Sequence, residues 1–365
     1  GRGTGTLDAY SVSVGLVGVI KEALPAVEWT VENCTWLTDA ITTHSITHVV
    51  NGIPWAAFIE AMMPAGVVYL GPTVSAAELE TNKFATRAAV SALGLRTTTV
   101  LREGSSSSIT ADLAAITARP LIIKPKTAFT STIIVNTGDD AAVISRLAGE
   151  DSYDYYFEEF IPNMVKEAEV IFTVANGAWS ISRTGSINGE ALTKGVVPSA
   201  TSWIIHTVTA PLTSSEDTAV RAFAATFLDM AKAKGGAYCG ELTVGIDNAG
   251  LVYWLEVNTR PSSPNIAPTF CSAAEYIQSL TSDPSIITAA WPANAKYTTL
   301  VATADTTSTY PFDLHATHSV TIPVGLRKDG ETYNLDHNGL LLFSEGDLPS
   351  GFVTAINASG TCTIS

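Results

Sequence analysis

The stretch from Ile46 to Leu70 leaves few options for how this chain begins to fold. ITHVV (46–50) and GVVYL (66–70) are short apolar runs rich in β-branched residues, and WAAFIEAMM (55–63) between them has the length and composition of a short helix. A strand, a helix and a second strand at this spacing form a crossover, which lays the two strands parallel in one sheet. Upstream, SVSVGLVGVI (11–20) reads as a further buried strand. Gly71-Pro72-Thr73 punctuates the end of the last strand. The chain therefore opens on an α/β unit.

The 365 residues allow two or three domains. Only 15% of them are charged and the formal net charge is −15. A nucleic-acid surface needs clustered Lys and Arg, and no such cluster is visible. An acidic surface also disfavours anionic membranes, and Val12–Ile20 is broken by serine and glycine and too short to span a bilayer. Neither nucleic acid nor a membrane is expected as a partner. The opening GRGTGTLDAY carries no Lys/Arg-led signal segment and reads as a processed or an incomplete end. Cys34, Cys239, Cys271 and Cys362 lie far apart without metal-ligand spacing, so free thiols and up to two disulfides are both open. Asn33-Cys34-Thr35 and Asn357-Ala358-Ser359 fit the glycosylation acceptor pattern, which keeps an extracellular location open. His44 and His48 are four apart but lack the adjacent glutamate of a zinc-protease helix.

After Gly71 the pattern predicts one helix through AAELETNKFATRAAVSALG, capped by Thr73 or Ser75 and stopped at Gly94. TTTVL (97–101) and the turn GSSSS (104–108) lead into a second unit. PLIIKPK (120–126) and TSTIIVN (130–136) read as a hairpin, and Asp139 to Leu147 as a helix. YYFEEFI, AEVIFTVANGAW and SWIIHTVTA continue an antiparallel pattern. SEDTAVRAFAATFLDMAKAKG (215–235) is the clearest helix. AYCGELTVGID and LVYWLEV form a strand pair turning at Asn248-Ala249-Gly250. KYTTLVATA, HSVTIPVG, GLLLFSEGDLP and FVTAINASGTCTIS predict a strand-rich tail.

YWLEVNTRPSSP (253–264) carries the first chemical signal. A carboxylate beside Trp254 and Leu255 must be paired, bound to a metal or wet. Alternation along a strand puts Glu256 and Asn258 on the same side, and both offer the oxygen donors that hard cations prefer. Read in order, YLGPTVSAAELETNK, IIKPK, YYFEEFI, KEAEVIFTVANG and ELTVGIDNAGLVYWLEVNTRP resemble the landmarks of the ATP-grasp superfamily, in particular its carboxylate–amine ligases of the biotin carboxylase, carbamoyl phosphate synthetase and D-alanine ligase kind. The resemblance runs from about residue 65 to 275.

The resemblance implies ATP and Mg²⁺ as cofactors, with a small carboxylate and an amine as substrates. A homo-oligomer stays open. It implies an N-terminal α/β domain (1–94), a small ATP-grasp subdomain (95–165), a large one (166–290) and a strand-rich extension (291–365). Lys83 follows Asn82 where the family usually reads Asp-Lys, and its counterpart helps hold phosphate. Lys124 matches the strand lysine that reaches the nucleotide phosphates, where a fixed cation offsets developing charge. Glu158, Glu159, Phe160 and Ile161 match the hinge strand that binds adenine largely through its backbone, and only one of the two carboxylates can face the cleft. Glu167 resembles the carboxylate on the ribose hydroxyls and is preferred to Glu169, because its distance to the Asn176-Gly177 turn fits better. Glu256 and Asn258 match the metal pair. The first metal carboxylate falls by count at Thr243, with Glu241 on the same face two residues earlier. Arg260 matches an arginine that meets the substrate or the transferred phosphoryl group, and Arg183 is a second candidate for substrate carboxylate or phosphate.

The phosphate loop departs from the family. It reads Lys126-Thr127-Ala128-Phe129-Thr130-Ser131-Thr132, keeping Ser131 at the family's serine position but holding no glycine. Side chains there block close approach of backbone to phosphate. Two functions therefore stand side by side: an ATP-dependent ligase, expected in the cytoplasm, and a non-catalytic descendant acting as a binding or structural subunit.

Overall fold

The computed structural model describes residues 35–51, 56–127, 132–148, 154–161, 163–188, 202–210, 212–260, 273–290, 295–302, 306–309, 332–335, 340–345, 349–359 and 363–364. The expected strand at 11–20 and the expected strand HSVTIPVG lie outside the described residues, as does Ser131.

The first unit comprises α1 (Thr35–Thr43), β1 (His48–Val50), α2 (Ala56–Ala61), β2 (Val68–Leu70), α3 (Val74–Thr81) and α4 (Lys83–Ala92). β1 and β2 pair in parallel, as their spacing requires. The single helix expected after Gly71 is two helices. Asn82 breaks it: its φ and ψ of −114° and 74° are non-helical, and its side chain accepts from the Ala85 N–H at 3.1 Å. An Asn side chain that competes with the backbone in this way favours a cap over a helix interior.

The second unit is a four-stranded sheet in the order β3-β6-β4-β5, from β3 (Val100–Ser105), β4 (Leu121–Pro125), β5 (Ile133–Val135) and β6 (Asp154–Glu159), with α5 (Ile109–Ala115) and α6 (Asp140–Ala148). β4 and β5 form the expected hairpin. β3 takes Gly104 and Ser105 of the serine-rich stretch, residues 106–108 form the expected turn, and α5 is a helix that the pattern does not predict. Period-two alternation sorts this sheet. Leu121, Ile123, Tyr155 and Phe157 enter a core with Leu113 of α5 and Leu147 of α6. Ile122, Lys124, Tyr156 and Glu158 take the opposite face.

The third unit is built on β7 (Met164–Ala175), β8 (Ala178–Asn188), β9 (Ser202–Ala210), α7 (Ser214–Ala233), β10 (Tyr238–Asp247) and β11 (Val252–Asn258). Beyond them lie α8 (Ala273–Thr281), β12 (Ala295–Ala302), β13 (Thr306–Thr309), β14 (Thr332–Leu335), β15 (Leu340–Glu345), α9 (Ser350–Ser359) and β16 (Thr363–Ile364). Among the described residues the large sheet runs β11-β10-β7-β8-β9-β12-β15, with β16 also on β9. Within the strand-rich tail one expected strand differs: FVTAINAS falls within helix α9, whose Phe352 is fully buried.

Asn176-Gly177, with φ of 52° and 72°, makes the tight turn between β7 and β8. α7 starts in a capping box: Thr213 caps the Glu216 N–H and Glu216 bonds back to the Thr213 N–H. One face of the sheet buries Val170, Phe172, Leu242, Val244 and Trp254 against Phe227 and Leu228 of α7. Each such side chain contributes about 1.5–3 kcal/mol relative to exposure. The opposite face is left for the polar residues.

The first unit is stapled to the third. Thr73 accepts from the Ala76 N–H as the cap of α3 and donates to the Lys234 carbonyl at 2.6 Å. The Ala237 N–H donates to the Gly71 carbonyl at 2.9 Å, and Pro72 bridges to Gly236.

Candidate functional site

The register of three strands assembles the polar face. β10 aligns Glu241 with Asn258 and Thr243 with Glu256 on β11, and aligns Glu241 with Ile171 and Thr243 with Glu169 on β7. β8 adds Arg183 opposite Ile171. Partners directly across an antiparallel pair point to the same face. One row therefore reads Arg183, Ile171, Glu241, Asn258, and the next reads Glu169, Thr243, Glu256. Glu167 follows two residues before Glu169, opposite Gly245. All these residues share the face away from α7.

A bulge sits where this face meets the second unit. Thr243 pairs with Glu256 and Val244 with Trp254, so Leu255 is the extra residue. Its carbonyl accepts from Lys124 Nζ at 3.0 Å. Lys124 is buried, with Nζ 2.6 Å from Glu158 Oε1 in an ion pair rather than an aligned hydrogen bond, and 5.4 Å from the centre of the Trp254 ring. Glu158 is 1% exposed, accepts from Thr98 Oγ1 at 2.7 Å and lies 3.4 Å from Arg87 Nε. Of the two hinge carboxylates, Glu158 is thus the one on the Lys124 face. Glu159 aligns with Leu121 on the other side, and its N–H donates to the Thr99 carbonyl. Phe160 is half-buried and Ile161 fully buried where the chain passes from β6 to β7.

Two more cations converge on the end of β11. Lys83, the first residue of α4, lies 3.7 Å from Glu256 Oε2, and the Glu256 side chain is 40% exposed. Arg260 Nε and Nη2 each lie 2.9 Å from Glu80 Oε1. Glu80 also accepts from the Thr259 N–H at 2.9 Å. The sequence reading missed Glu80 and Arg87. The signal was present: Glu80 follows Ala76, Ala77 and Leu79 on the buried side of α3, and Arg87 stands one helical turn after Lys83.

Glu169 is buried, and burial pushes its carboxyl well above the usual glutamate range. The neighbouring Glu241 charge pushes the same way and Arg183 pulls against both. The folded protein thus keeps a proton that the unfolded chain releases above about pH 4.3. Stability is expected to fall as pH rises from that value through the raised one, with a slope of up to about 1.4 kcal/mol per pH unit. Urea unfolding in a chelating buffer across about pH 5 to 8 checks this. Glu169→Gln is expected to flatten the slope and to raise stability at the upper end, and an unchanged slope would assign it to another group.

Among the described residues no three His, Cys, Asp or Glu side chains stand close enough to hold a metal by themselves. Glu241, Glu256 and Asn258 nevertheless supply oxygen donors on one face. That donor set fits Mg²⁺, which is usually bound through one or two carboxylates together with substrate phosphates rather than in an all-protein cage. Among the described residues no helix is long and apolar enough to cross a membrane.

No family model matches the chain, and no curated protein matches its sequence. Solved structures match its fold. N5-carboxyaminoimidazole ribonucleotide synthetase, solved with ADP, superposes with a TM-score of 0.60 over 92% of this chain and 85% of its own at 10% identity. A biotin carboxylase from Campylobacter jejuni gives 0.58 over 89% and 77% at 14% identity. N5-carboxyaminoimidazole synthase from Aspergillus clavatus gives 0.56 over 86% and 80%, also at 14%. The architecture is therefore mixed α/β, with an N-terminal parallel sheet and a two-lobed organisation shared with these enzymes. The likeness is one of fold and is shared with several enzymes rather than with one.

Proposed function

We propose that this protein is an ATP-dependent ligase that activates a small carboxylate for attack by an amine. The observation that carries this reading is the convergence of Lys83, Lys124 and Arg260 on the end of β11, beside Glu256 and Asn258. In an acidic chain, the positive charge a triphosphate needs must come from a few placed cations and a metal. The substrate carboxylate oxygen attacks the γ-phosphorus, and the bond to the β–γ bridging oxygen breaks as ADP leaves. The amine nitrogen then adds to the acyl carbon, inorganic phosphate departs and the amide forms with loss of a proton. Lys124 and Lys83 hold the phosphates, and Arg260 meets the transferring group. Arg183 takes the substrate carboxylate. Residues 158 to 161 bind adenine through their backbone, Glu167 the ribose, and Ser131 sits in the phosphate loop. Glu256 and Asn258, with Glu241, would hold Mg²⁺, which supplies charge neutralisation across the phosphates.

One observation favours the second reading, a non-catalytic descendant used as a binding or structural subunit. Lys83, Lys124 and Arg260 each already face a carboxylate: Glu256, Glu158 and Glu80. Each cation is thus already compensated, and a phosphate would compete with these carboxylates for it. Calorimetric titration with ATP and Mg²⁺ decides the first step, and ADP release against a panel of carboxylates with amines decides the second. Saturable, Mg²⁺-dependent binding and carboxylate-dependent turnover are expected, with the magnesium dependence weakened in Glu256→Gln. Binding without turnover on any panel member favours the non-catalytic reading. No heat and no thermal stabilisation at millimolar nucleotide leaves only the fold.

A further inference from the structure

Glu80 is an acidic residue in an apolar setting. It belongs to α3 in the first unit, is 4% exposed, and stands among the buried Ala76, Ala77 and Leu79. Burial is the main influence on its carboxyl and raises it, with Arg260 opposing. A buried carboxylate is tolerated when its oxygens are satisfied, and here both are. Oε1 takes the Arg260 guanidinium at Nε and Nη2, both at 2.9 Å, while Oε2 accepts from the Thr259 N–H at 2.9 Å and from Thr259 Oγ1 at 3.4 Å. Thr259 is itself fully buried. A single side chain thus fixes the backbone directly after Asn258 and the orientation of the arginine directly after that. The Arg260 side chain remains 24% exposed, so a ligand can still reach it. Two charge-assisted contacts to one oxygen, with the other oxygen on the adjacent backbone, restrict a long side chain that otherwise has many rotamers.

We infer that Glu80 is a positioning residue: it orients Arg260 toward the reacting group. The inference rests on the ligase reading for what Arg260 does, but the hold of Glu80 on Arg260 can be tested without it.

The first arm is spectroscopic. In protein with ¹⁵N-labelled arginine, the Nε–H signal of Arg260, assigned by its loss in Arg260→Lys, is expected to be protected from exchange with water. It should lose that protection in Glu80→Ala. Glu80→Gln keeps an acceptor for the Thr259 N–H but loses the charge, and is expected to fall between the two; it also serves if the alanine variant does not fold. The second arm is kinetic. Removing a residue that orients a functional group costs about 10–100-fold, and the loss here is expected in kcat, with the calorimetric affinity for ATP little changed. A protected Arg260 signal that survives in both variants overturns the inference. So does a loss of ATP affinity that tracks the loss of kcat, which would make Glu80 a support of the nucleotide site as a whole. If the unaltered protein neither binds ATP nor turns over, the ligase reading fails by itself, and the exchange measurement still decides whether Glu80 holds Arg260.

Discussion

Replacing Lys124 by methionine is expected to destabilise the protein by about 3 kcal/mol, the lower end of the 3–5 kcal/mol that breaking a buried ion pair costs. The lower end applies because Glu158 would keep the Thr98 hydroxyl at 2.7 Å and Arg87 at 3.4 Å. The loss has two parts. Glu158, 1% exposed, would be left with less compensating charge. The carbonyl of the bulged Leu255 would lose its donor, and with it a link between the small and the large sheet. Urea unfolding measures the shift in midpoint. Replacing Glu158 by leucine as well should return part of the stability, because a buried pair removed together costs less than one partner removed alone. A single-variant loss below about 1 kcal/mol would mean that water reaches the pair and satisfies it.

Gly236→Ala is the second change expected to be severe, at about 2–5 kcal/mol. Its φ of +102° strains any residue with a Cβ, and that Cβ would meet the Gly71 carbonyl oxygen at 2.7 Å, the Thr73 nitrogen at 2.8 Å and the Pro72 Cα at 2.9 Å. All three are backbone atoms, so no rotamer change relieves them. Gly250→Ala is the control. It has φ of +77° but nothing within 4 Å of the added carbon, so only the conformational strain of about 1 kcal/mol should appear. Equal losses at the two positions would show that the packing of the first unit on the third contributes nothing.

How far the sequence could be read depends on the range of the interaction concerned. The parallel pair β1–β2 and the hairpin of β10 and β11 follow from local periodicity, and both are present. The shared face of Glu256 and Asn258 follows from alternation and needs no partner strand. The two-residue step from Thr243 to Glu241 was also legible, since both lie on that face by count. What alternation could not supply is the partner strand: that Glu169 stands opposite Thr243 depends on the register of β7. The bulge at Leu255 was invisible for the same reason, because a bulge is a mismatch between two strands and not a property of either. The helix break at Asn82 was legible in principle, from a capping residue inside an otherwise periodic run. In the tail, Phe352 and Val353 in FVTAINAS look like strand formers, yet the segment is helical and buries Phe352. Short apolar runs do not distinguish the two states.

The contact between Glu80 and Arg260 spans 180 positions of the chain. A ribosome adds about 5–20 residues per second, so α3 emerges roughly 9–36 s before the arginine that completes it exists. During that interval Ala76, Leu79 and Val90 also lack their core partners on β10 and β11. The first unit is therefore unable to reach its final packing while it is being made. Fragments that stop short of residue 260 should expose this apolar surface together with a carboxylate that has no counter-charge. In the cell they would be substrates for chaperones and proteases rather than independent domains.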